Sequence, residues 1–259
     1  MHLSTPEGPI DPQAQRRADL RRLRRALQAS AAFVALMAVM YLAQGALDWR
    51  AFAVTPGSAP GLIGVLAAPL LHGSLDHIVA NAASVLLLGT LAAGVYPRAT
   101  LRALPLLWLG SGLGAWLLGD PGSFHIGASG LTHGLMFLVF VLGLLRRDRP
   151  AIAAGMIAFF LYGGMLLTVL PQEPGVSWQS HLGGALAGVV SAFLFRRSDP
   201  AAPRRKYSWE LEEEAEAAAE GSTQLEPPRP NDVPVLWRRD AADQRGVVLR
   251  FRRSGNDDD

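Results

Sequence analysis

An all-α bundle of six membrane-spanning helices is the fold this sequence predicts, and three observations predict it. Half of the 259 residues are apolar and 18% are charged, yet the charges crowd at the two ends and leave residues 26–47 and 61–195 almost without them. The apolar runs recur near ~20 residues, enough to cross a hydrocarbon core of ~30 Å as helix. Arginines gather in every second connection and are nearly missing from the others, the asymmetry that orients a polytopic chain.

The elements follow in order. Residues 1–25 form an Arg-rich segment, so the apolar run behind it, 26–47, reads as a span and not as a signal peptide. Residues 48–74, with Trp49, Phe52, Pro56, Pro60 and Pro69, are too apolar for an ordinary loop and too broken for one helix. They read as an irregular segment partly embedded against protein. Residues 75–95, 100–118, 129–145, 150–170 and 179–195 read as spans two to six, completing a membrane domain over 26–197. From 198 to 259 the composition changes to an acidic Ala-rich stretch at Trp209–Glu220, with helical character, a Pro-rich link and a basic end closing on three aspartates. That composition reads as a largely disordered tail.

With the N-terminus inside, the inner loops hold Arg98, Arg102, Arg146, Arg147 and Arg149, and the C-terminal flank holds Arg196 and Arg197. The outer loops hold Arg50 and no other Lys or Arg. Both termini are therefore expected in the cytoplasm, as in a bacterial-type inner membrane protein with the lipid bilayer as its partner.

Residue types exclude several chemistries. There is no cysteine, hence no disulfide and no thiol nucleophile. The basic balance does not point to nucleic acid, because the arginines flank apolar segments. No H-E-x-x-H zinc motif is present, no pair of aspartates lies within the spans, and the one lysine, Lys206, falls in the tail, away from any serine of the spans.

Polar residues inside spans are costly and point to function. Spans two, four and six run from outside to inside, and each carries polar residues near its start. Ser129 lies 17 residues before Arg146, His181 15 before Arg196, and Asn81 17 before Arg98. At ~1.5 Å per residue the three share a depth near the outer edge of the core. His77 lies one turn from Asn81 on the same face. Gly130 and Gly134 follow Ser129, and Gly184 and Gly188 follow His181, in steps that let helix backbones nearly touch. If spans four and six meet there, a serine hydroxyl and an imidazole base come within hydrogen-bond reach. Asn81, His77 and the Ser129 amide are then donors for an anionic intermediate.

Three motifs resemble the rhomboid family of intramembrane serine proteases. Gly127-Ala128-Ser129-Gly130 resembles its G-x-S-G motif; His72, His77 and Asn81 resemble its H-x-x-x-x-H-x-x-x-N motif; His181, Gly184 and Gly188 resemble its H-x-x-G-x-x-x-G motif. The resemblance covers about residues 30–195. It implies a six-helix rhomboid-like bundle with Ser129 as nucleophile and His181 as base, a dyad without aspartate. It further implies an oxyanion hole of His77, Asn81 and the Ser129 amide, with Gly127 in the loop lining it and His72 in a structural role. No cofactor and no metal are implied, and the substrates implied are transmembrane proteins cut near the outer face at small residues.

Two positions depart from the family. Ile63 and Gly64 stand where a Trp-Arg pair is common, and His133 stands where a tyrosine often stacks on the base. The S-G-x-x-H-G spelling at Ser129–Gly134 also resembles bacterial rhombosortases, a specialised branch. Other readings of the same residues are packing roles for His77 and Asn81, a solvated loop position for His125, a metal site among the outer histidines 72, 77, 125, 133 and 181, and a rhomboid-like binder without catalysis.

Overall fold

The computed structural model describes residues 12–171, 175–200 and 208–222. The first helix, α1 (Pro12–Ala43), starts inside the Arg-rich segment and runs unbroken into the apolar run. Arginine is a good helix former, so nothing in residues 13–25 stops the helix at the edge of the apolar stretch. Short 3₁₀ turns at Gln44–Ala46 and Trp49–Phe52 lead to α2 (Leu62–Ala67) and a further turn at Ala68–Leu70.

The second span comprises α3 (Leu75–Ser84), a π-helical turn at Val85–Gly89 and α4 (Thr90–Val95). Ser74 caps it, its hydroxyl accepting from the His77 N–H at 3.1 Å. Then follow α5 (Pro97–Leu118), α6 (Ser129–Arg146), α7 (Arg149–Tyr162) and α8 (Trp178–Phe195). A last helix, α9 (Ser208–Ser222), lies in a separate unit that starts at Arg205; of the tail expected to be largely disordered over 198–259, residues 201–207 and 223–259 fall outside the described residues. Among the described residues there is no strand, and one isolated bridge joins Val54 to His125.

Five of the six expected spans are long and apolar enough to cross a membrane by length and composition. The sixth, α8, has 18 residues but opens with Gln179, Ser180 and His181, which dilute its hydropathy. It packs against α5 and α6, so protein surrounds the polar turn. A Cβ on Gly183 would press on the backbone of Gly110 and Gly114, one on Gly184 on the carbonyl oxygen of Gly130, and one on Gly188 on that of Gly134. These contacts are possible only without side chains.

The outer surface is lined by exposed apolar side chains, among them Leu42, Leu101, Val79 and Phe160. The first loop folds onto α5: the indoles of Trp108 and Trp116 donate to the carbonyls of Leu66 and Ser58 at 3.2 and 2.9 Å. Gly64 is buried against the backbone of Ala53 and Val54, so this loop is closed on itself by a residue without a side chain.

At the opposite end, the Asp199 carboxylate accepts from the N–H groups of Arg98 and Ala99 at 3.0 and 2.9 Å. Tyr96, the residue that caps α5, supplies no side-chain hydrogen bond to it. Arg146 donates to the carbonyls of Asp199 and Pro200 and to the Asp148 carboxylate. The membrane unit thus extends at least three residues beyond the boundary expected at Arg197.

Candidate active site

Ser129 opens α6, but its hydroxyl is not the helix cap. Ala128 occupies that position without a side-chain hydrogen bond, so the serine Oγ is free to point outward. It lies 2.8 Å from His181 Nε2. His181 Nδ1 lies 3.0 Å from the carbonyl oxygen of Thr168. A carbonyl accepts only, so Nδ1 carries the proton and Nε2 is left as an acceptor for the Ser129 hydroxyl. His181 is 5% exposed.

The His133 ring lies flat against the His181 ring, with centroids 3.8 Å apart and planes 11° from parallel. Its Nδ1–H donates to the Ser129 carbonyl at 2.7 Å, and its Nε2 accepts from the Thr168 hydroxyl at 2.8 Å. His133 therefore stacks and hydrogen-bonds at once. Thr168 was not among the expected site residues, although it touches both histidines. A lone threonine at the end of an apolar span was its one signal.

On α3, Asn81 is 4% exposed, and its amide donates one N–H to the His77 carbonyl at 2.9 Å, leaving the other without an acceptor among the described residues. The Gly73 N–H donates to His77 Nδ1 at 3.4 Å, so Nε2 carries the ring proton. Gly127 brings these groups to the serine. Its φ of +109° suits glycine, and a Cβ there would come within 2.5 Å of His77 Nε2 and 3.8 Å of Asn81 Nδ2. Its own N–H donates to the Ala68 carbonyl at 2.8 Å, tying the serine loop to the first loop.

His72 is fully buried, edge-on to His77 with ring centroids 5.0 Å apart. Gln44, at the end of the first span, holds its main chain from both sides, through its N–H and its carbonyl. His125, expected to face solvent, is instead half-buried, with its ring nitrogens 2.6 and 2.9 Å from the hydroxyls of Ser177 and Ser123. Burial lowers its pKa below the ordinary 6.5, with Asp120 pulling weakly the other way. The ring is neutral at pH 7, and one nitrogen accepts while the other donates. Among the described residues the histidines pair off as 72 with 77 and 133 with 181, and no group of three metal-ligating side chains assembles.

Ser129, His181 and His77 line one cavity of about 940 Å³, open at the end away from the arginine-rich loops, with Phe124, His125 and Trp178 on its walls.

A bundle of apolar helices with a serine and a histidine joined inside it defines a polytopic membrane protein with a candidate hydrolytic site. Residues 59–198, more than half of the chain, match the Rhomboid domain, and the chain belongs to the rhomboid family. Members of that family are generally intramembrane serine proteases, and some are inactive. The chain is 42% identical over 161 residues to Rv1337, an uncharacterized protein of Mycobacterium tuberculosis, across 59% of this chain and 65% of that protein. It is 40% identical over 154 residues to ML1171, an uncharacterized protein of Mycobacterium leprae, across 56% and 59%. The match takes in slightly less than two thirds of these relatives' length.

Proposed function

We propose that this chain is a serine endopeptidase that hydrolyses peptide bonds of transmembrane proteins, with Ser129 and His181 as its catalytic dyad. The observation that carries this reading is the 2.8 Å contact between Ser129 Oγ and an His181 Nε2 left unprotonated by the Thr168 carbonyl. Ser129 Oγ attacks the scissile carbonyl carbon while its proton passes to Nε2. The oxyanion formed accepts from the free Asn81 N–H, from His77 Nε2–H and from the Ser129 amide at the positive end of α6. His181 then gives its proton to the leaving amine, and water, deprotonated by the same ring, releases the acyl group.

Helical peptide bonds are internally satisfied, so a substrate whose helix unwinds readily beside the cavity is the one that reaches Ser129. The arginine distribution supports a site near the outer face of a bacterial-type plasma membrane, with both termini in the cytoplasm.

Labelling by a fluorophosphonate, with and without a chelator, tests the reading. Ser129 is expected to label in both conditions, and Ser129→Ala and His181→Ala are each expected to abolish labelling and cleavage of a single-span substrate. Combining the two should cost little more, since residues acting as one unit are not additive. Cleavage by Ser129→Ala at the wild-type rate would sink the proposal. Unlabelled, inert wild-type protein would favour a rhomboid-fold binder.

A further inference from the structure

A slot of about 430 Å³ lies between α1 and α5, floored by the π-helical turn, α4 and α6. Small residues create it. Ala26, Ala29 and Ser30 on α1, with Gly89 and Ala93 of the second span, line it with little bulk. Phe33 and Trp108 meet edge-to-face at 5.7 Å and close the slot about two turns of helix from its arginine-rich end. At that end Leu101, on the rim, is 71% exposed. An opening of this kind in a bilayer meets acyl chains, and an unfilled apolar void forfeits the dispersion contacts of its lining.

Polar groups single out one kind of amphiphile. Thr100 lines the slot and is 4% exposed, and its hydroxyl has no hydrogen-bond partner among the described residues. A buried unsatisfied hydroxyl is costly and calls for a partner. Arg22 extends the Ala26–Ala29 face by one turn, and Arg98 precedes Leu101 by three residues, so both stand at the mouth. Arg21, Arg25 and Arg102 flank them. The carboxylates there are engaged: Asp19 pairs with Arg22, and Asp199 caps α5. The Arg98 guanidinium has no partner among the described residues.

We infer that this slot binds an anionic glycerophospholipid of the leaflet at the arginine-rich end, with one acyl chain between α1 and α5. Its phosphate or ester oxygens accept from the Thr100 hydroxyl and from Arg98 and Arg22. Its lining shares no residue with the cavity at Ser129, and lipid retention reads it without reference to whether the chain is a protease.

Native mass spectrometry of the full chain, incubated in detergent with equal amounts of phosphatidylglycerol and phosphatidylcholine, provides that test. Wild type is expected to retain phosphatidylglycerol about tenfold over phosphatidylcholine. The double variant Arg22→Gln, Arg98→Gln should lose that preference, and Ala29→Phe, which fills the slot, should lose both lipids. Equal retention of the two lipids by wild type, or unchanged retention by Ala29→Phe, overturns the inference. So does a wild-type dimer that Ala29→Phe converts to monomer, since a second copy would then occupy the slot. In the unsubstituted protein, phosphatidylglycerol with brominated acyl chains should quench a component of tryptophan fluorescence that is missing from Trp108→Phe. Its presence in both proteins counts against the site even if Ala29→Phe does not fold.

Discussion

The orientation of His181 rests on a main-chain carbonyl, that of Thr168, and not on a carboxylate. A neutral acceptor fixes the tautomer but stabilises an imidazolium less than an anion does, so the ring needs its other support, the flat face of His133. His133 is itself held at both nitrogens, which makes it a plate clamped beneath the base. Phenylalanine keeps the plate and loses the two hydrogen bonds; alanine loses both. His133→Phe is expected to retain much of the activity, whereas His133→Ala should lose at least about tenfold, ~1.4 kcal/mol of transition-state stabilisation. Steady-state cleavage and fluorophosphonate labelling of Ser129 read both. Thr168→Val deletes the hydroxyl but spares the carbonyl, so it should cost less than His133→Ala. Loss of labelling in folded His133→Phe and His133→Ala alike would make His133 a third member of the site.

At the scale of elements, the crossing of α6 and α8 sets the distance from serine to base. The Gly184 Cα faces the Gly130 carbonyl with no room for a methyl group, and forcing one in typically costs about 1–3 kcal/mol. Gly184→Ala should therefore lower the melting temperature in detergent and weaken labelling of Ser129. Gly45→Ala, where a Cβ meets nothing within 4 Å, should change neither; equal behaviour of the two variants would refute this account. This crossing was legible in the sequence, because its glycines fall at fixed steps after Ser129 and His181 and because arginine spacing gives the depth of both. The irregular first loop was legible too, from its prolines and aromatics. Thr168 and Gln44 were not, since each acts through contacts with segments remote in sequence. Composition marks where a span becomes apolar but not where its helix begins, so the start of α1 at Pro12 was hidden as well. The π-helical turn at Val85–Gly89 has no proline or paired-glycine signal, and His125 gave no sign that Ser177 would meet it.

At the scale of the whole molecule, the loop arginines other than Arg50 and the serine occupy opposite ends of the bundle. A reporter active only in the cytoplasm should be active when fused after Pro200 and silent when inserted at Gly122, in the loop ahead of Ser129; the reverse pattern would turn the protein over in the membrane. Where the chain can be cut follows from the same end. Pro97 has no N–H to offer, and the next two N–H groups of α5 find their acceptor about 100 residues on, at Asp199. Asp199 is 7% exposed, and the carbonyls around it hold Arg146 above the Tyr96 ring at 5.5 Å. Truncation after Arg197, where the last apolar run gives way to charge, removes that acceptor and two of the four hydrogen-bond partners of Arg146. A lost helix-end acceptor typically costs about 0.5–2 kcal/mol, and the loss of the Asp199 and Pro200 carbonyls from part-buried Arg146 adds to it. Truncation after Pro200 keeps all of these contacts. The shorter protein should therefore melt several degrees lower in detergent than the longer one, at about 2–4 °C per kcal/mol, with Asp199→Asn in the full chain reproducing part of the loss. Labelling of Ser129 should survive truncation after Pro200, because every residue assigned to the site lies before it. If the two truncations melt together, Asp199 does not secure α5; if the longer one folds but fails to label, the tail belongs to the catalytic unit.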